Sequence, residues 1–168
     1  MHKLALLTLA VSAAALPAYS QDFVKDTILK HLKTSKDFTV KVAEAMPEAD
    51  YDFKLTAPQM SFGEQMVHLS QALEYFTSAL AGQKPNVGKP ASMKKSDVVA
   101  FVKTSFDGVI ARVSGLTHDQ IMKSYKSEEG EMTGLELLLG MLDHTTHHRA
   151  SAEMYLRAKG ITPPEYQF

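Results

Sequence analysis

Phe62, Met66, Leu69, Leu73, Phe76 and Leu80 recur every three or four residues, with polar side chains between most of them. Successive α-helical residues turn by about 100°, so these six share one stripe that other apolar surface must cover. Three more segments carry the same period. The first has Val24, Ile28, Leu32, Val42 and Met46; the third has Val98, Val102, Phe106, Val109 and Val113; the last has Leu137, Met141 and Tyr155. No amphipathic helix can bury its own stripe, and four of them closing on one core make an all-α four-helix bundle.

Punctuation residues set the limits of these helices. Pro47 ends the first, and the linker PEADYDFKLTAPQM follows, its alternation too short for a strand before Pro58. Ser61 with Glu64 three residues on reads as a capping box opening the second helix, and Gly82 stops it. Ser96 and Asp97 open the third after the loop GQKPNVGKPASMKK, and Gly115 closes it. A polar stretch, LTHDQIMKSYKSEEGEMTG, has room for a short turn or strand. The fourth helix then runs from about Thr133 to Lys159, with Gly160 as its C-terminal cap. The second and third connections are long enough to cross the bundle.

The N-terminus obeys a different pattern. Lys3 precedes an unbroken apolar run from Leu4 to Leu16, then Pro17 and the small residues Ala18 and Ser20. Such a run is too short to span a bilayer and suits a cleavable signal peptide over residues 1–20, leaving a domain over residues 21–168. The expected destination is export, to a periplasm or the medium. With no cysteine, an exported domain has no disulfides and depends on core packing, alone or with a metal. A formal net charge of −1 and the lack of a long basic run argue against nucleic acid and against a membrane surface once the signal is removed. The nine methionines read as adaptable core filler.

Three histidines fall within five positions in MLDHTTHHRASAEMYLRAKG. His144 and His148, one turn apart, lie on one face and can converge on one ion, whereas His147 is turned away by about 100°. On its own such a pair is more often one solvated and one core histidine. A third candidate ligand lies on the second helix, where His68 sits in SFGEQMVHLSQALEYF with Ser61, Ala72 and Ala79 leaving room near it. Three imidazoles from two helices suit zinc, nickel or a similar divalent ion and leave a coordination position for water or substrate. Glu64, one turn before His68, is the candidate for orienting a ligand histidine or for general base. His31 reads as a core or helix-surface histidine and His118 as solvated. Arg149, on the side of Leu138, Leu142 and Leu156, needs a bridging acid such as Glu64 or else an anionic ligand to clamp.

Together, SFGEQMVHLSQALEYF and LDHTTHHRASAEMYLRAKGITPP resemble the DinB-like family (DinB/YfiT-like metalloenzymes) over essentially the whole chain after the signal. The resemblance implies a four-helix bundle with a divalent ion near one end, held by His68, His144 and His148, and often assembled as a homodimer. It also implies a metal-dependent enzyme acting on a small molecule, of hydrolase or thiol-transferase type, the latter using the metal to activate a low-molecular-weight thiol. Asp143 stands where the family commonly has Asn, and Ala150-Ser151 replaces Gly-Gln after HHR. The competing expectation is a non-enzymatic, stress-associated bundle in which the ion only fastens two helices.

Overall fold

The computed structural model describes residues 19–127 and 130–167. The expected signal peptide therefore lies outside the described residues except for its last two positions. Four long helices make the body: α1 (Tyr19–Ala45), α2 (Phe62–Ser78), α3 (Lys95–Ser114) and α5 (Gly134–Ala158). Between α3 and α5 the polar stretch forms a short helix, α4 (His118–Met122), and an antiparallel hairpin of β1 (Ser124–Ser127) and β2 (Gly130–Thr133), in which Ser124 faces Thr133. No helix among the described residues is long and apolar enough to cross a membrane.

Local chemistry explains the helix ends. Ser61 and Thr133 each accept from the backbone N–H three residues on, while Glu64 and Glu136 reach back to them, giving α2 and α5 complete capping boxes. Gly82 and Gly160 follow with φ of +67° and +73°, the left-handed conformation that lets the chain turn away. The third helix departs from expectation. It opens at Lys95 with no side-chain cap, because Asp97 instead accepts from the Ser92 hydroxyl at 2.5 Å, inside the preceding loop.

The stripes meet as their period requires. Leu32, Met66, Leu69, Phe106, Leu138 and Leu156 are fully buried, each burial contributing about 1.5–3 kcal/mol before chain entropy is counted. α1 lies against α3 and α5, and α2 lies against the same two, so the order around the bundle is α1, α3, α2, α5. The first and third connections therefore run diagonally. The second, though long enough to cross, joins neighbours, and the first, for which no crossing was anticipated, does cross. The reason sits in the first linker, which is part of the core. Tyr51 is 4% exposed, donates to the Ala43 carbonyl at 2.6 Å and meets the Phe62 ring edge-on at 5.2 Å. Phe53 meets Tyr155 edge-on at 6.1 Å. These aromatic anchors hold the linker across the core, a route that its length alone does not disclose.

Where α4 meets α5, backbone approaches backbone. A Cβ on Gly134 would lie 2.5 Å from the Gln120 carbonyl oxygen and 2.7 Å from that of Ile121. Only glycine fits, and the contact sets where α5 begins, and hence the height at which its histidines hang.

Candidate metal centre

Because α2 and α5 are neighbours, His68 faces His144 and His148. The ring centroids are 5.1 Å apart for His68 and His144, and 4.5 Å apart for each of the other two pairs. One nitrogen from each ring lies within 4.8 Å of the other two. In a tetrahedral site with metal–nitrogen bonds of about 2.0–2.1 Å the nitrogens stand roughly 3.3 Å apart. Small side-chain rotations, moving each nitrogen by on the order of 1 Å, close the set. All three residues are half-buried, so the cluster rests on the core yet is open to solvent. No carboxylate belongs to it among the described residues.

The surroundings of two rings favour ligation. His148 Nδ1 lies 2.6 Å from the side-chain oxygen of Gln65, a residue only 7% exposed. An amide oxygen only accepts, so Nδ1 carries the proton and Nε2 keeps the free lone pair that a metal requires. His144 Nδ1 is buried without any hydrogen-bonding partner. An unsatisfied buried polar atom costs about 1–3 kcal/mol, and a cation within reach of its lone pair removes that cost. Burial first, and then the neighbouring imidazoles, lower the pKa of His144 and bring that of His148 down from 6.5 to about 4. Both are therefore neutral bases at neutral pH, the state that binds a cation. The residues fit a divalent metal.

The other candidates fall outside this cluster. His147 is exposed, its ring edge-on to His148 at 4.9 Å. His31 lines a cavity between α1 and α5, and His118 lies partly exposed in the first turn of α4. Glu64 is committed elsewhere: its carboxylate accepts from the Ser61 backbone at 2.6 Å and lies 3.4 Å from Lys54. The Ser61 backbone bond is the main cause of its lowered pKa. Among the described residues no hydrogen bond or ion pair joins Glu64 to the histidines.

The orienting position belongs to Gln65, which sequence reasoning missed. Two signals pointed to it. Gln65 is three residues before His68 and so on its face of α2, and the capping box had already claimed Glu64. Arg149 also departs from expectation. It is 5% exposed, but its partners are the hydroxyls of Ser35 at 2.9 Å and Thr146 at 3.3 Å and the ring face of Phe38 at 4.6 Å, with no bridge to Glu64.

Similarity to known proteins agrees with this architecture. The chain is 23% identical over 145 residues to YjoA of Bacillus subtilis, covering 83% of this chain and 94% of that protein. The crystal structure of YjoA, a DinB-like protein, superposes with a TM-score of 0.74 at 24% identity, covering 84% and 97% of the two chains. A DinB-like protein from Bacillus cereus gives 0.73 at 14% identity, covering 84% and 96%. YfiT of Bacillus subtilis, described as a probable metal-dependent hydrolase with an unusual four-helix bundle topology, gives 0.62 at 16% identity, covering 90% and 94%. The sequence profile of the DinB family matches residues 19–168, which takes in every element described above, and this chain belongs to the DinB family.

Proposed function

We propose that the protein is a metal-dependent enzyme of the hydrolase type, with zinc, nickel or a similar divalent ion held by His68, His144 and His148. The observation that carries this reading is the meeting of three imidazole nitrogens within 4.8 Å, from two helices, with one ring held in the ligating tautomer by Gln65. Such an ion supplies Lewis acidity, lowering the pKa of a bound water or thiol. Three protein ligands leave a position for that molecule, and the half-exposed rings leave it a path. The description of YfiT as a probable metal-dependent hydrolase supports the same class. A thiol-transferase version needs a thiol brought in as substrate, since the chain has no cysteine.

A purely structural ion is the weaker reading. Among the described residues α2 and α5 share the most extensive contact of any helix pair, and both bury apolar side chains, so they need no ion to fasten them. The test is elemental analysis of protein purified without a histidine tag, on the native chain and on His68→Ala, His144→Ala and His148→Ala. About one divalent ion per native chain is expected, with loss in each variant. Full occupancy in all three variants would remove the site.

A further inference from the structure

The flank of α5 turned toward α1 carries a second polar feature. Leu142 and Thr146 lie about 160° around the helix axis from His144, so this flank is separate from the histidine cluster. Here a cavity of about 430 Å³ opens, walled by Ile28, Leu139 and Leu142 and by the hydroxyls of Ser35 and Thr146, with Arg149 among its lining residues. Asp143 and His31 also line it, and Tyr166 approaches from the C-terminal segment.

Arg149 is the anomaly. A guanidinium taken out of water loses several kcal/mol of hydration, which a carboxylate normally returns. This one is 5% exposed and meets only neutral acceptors, two hydroxyls and an aromatic face. A cation–π contact offsets about 0.5–2 kcal/mol, and the two hydroxyls in direct contact carry no counter-charge. Glu153, one turn on, lies 3.6 Å from Arg157, and Arg149 forms no ion pair among the described residues. Burial pulls the Arg149 pKa down from its ordinary value, and the nearby charges of Glu153 and Tyr166 offset that only in part.

We propose that this cavity binds a small organic monocarboxylate, its apolar body against Ile28, Leu139 and Leu142 and its carboxylate paired with Arg149 and the hydroxyls of Ser35 and Thr146. The planar fork of arginine matches a carboxylate with two parallel hydrogen bonds. The apolar walls disfavour a fully hydrated anion such as phosphate, and the Asp143 carboxylate disfavours a second negative charge on the ligand.

Calorimetry on the full chain with hexanoate, its neutral isostere hexanamide, and inorganic phosphate as probes tests this. Hexanoate should bind saturably at one per chain, with hexanamide and phosphate each weaker by at least about tenfold. Arg149→Met should weaken hexanoate by a similar factor. The protein has no tryptophan, so Leu139→Trp places a single fluorophore on the cavity wall, and its emission should titrate with the midpoint that calorimetry gives for that same variant. His144→Ala should leave hexanoate binding intact, which separates this site from the metal. Should Arg149→Met fail to fold, the hexanamide comparison and the tryptophan reporter still decide. Absence of saturation in the tens of millimolar, equal affinity for hexanamide, or loss of binding in His144→Ala would overturn the proposal.

Discussion

Replacing Gln65 with Leu changes the chain by one acceptor and little else. The side chain is 7% exposed and of similar size, so the helix and its neighbours keep their places. What disappears is the 2.6 Å contact to His148 Nδ1. That N–H then sits half-buried with no protein acceptor, and the ring is free to turn its lone pair away. Loss of such an outer partner lowers metal affinity by about 10–100-fold, or about 1.4–2.8 kcal/mol. Solvent reaches a half-buried ring and replaces part of the bond, so the lower end, about tenfold, is expected. The assay is competition for zinc against a chelator of known affinity. Glu64→Ala serves as the contrast. Its carboxylate caps α2, so the variant should lose about 1 kcal/mol of stability while its zinc Kd stays within about twofold. A native Kd in Gln65→Leu, or an equal loss of affinity in Glu64→Ala, would refute the assignment.

Two further perturbations probe the frame around the site. Gly134→Ala forces a methyl to 2.5 Å from one carbonyl oxygen and 2.7 Å from another, both on α4 backbone that cannot rotate aside. A loss of about 2–3 kcal/mol is expected, seen as a melting temperature lower by on the order of 5–10 °C, and native melting would contradict the close approach. In metal-free protein, His148 has a folded pKa of about 4 against an ordinary 6.5, so the unfolded chain takes up the proton first. The stabilisation linked to neutral His148 is thus fully present above pH 6.5 and declines as pH falls toward 4. The urea midpoint should drop across that window, and His148→Gln should flatten the drop; identical profiles for the two proteins would exclude the linkage.

How much of this was legible beforehand depends on the range of each interaction. Capping at Ser61, the start of the last helix near Thr133, the reversals at Gly82 and Gly160, and the shared face of His144 and His148 involve residues at most four positions apart. Helical geometry alone decides contacts of that range. The Ser92 to Asp97 bond moved the start of α3, because a loop side chain took the acid that looked like the helix opener. The same kind of competition decided between Glu64 and Gln65: both sit one turn from His68, and the carboxylate was already engaged at the helix start.

The sequence by itself determined four stripes, most of their ends though not the start of α3, and which histidines share a face, since the period of 3.6 and most caps are written in neighbouring residues. Only the tertiary structure decided that α2 and α5 are neighbours while α1 and α2 are not. It also placed Tyr51 and Phe53 against the core to route the first linker, and left Arg149 without an ion-paired carboxylate among the described residues. Those outcomes depend on contacts between residues far apart in the chain, which arise from how the stripes fit together, and no local period encodes them.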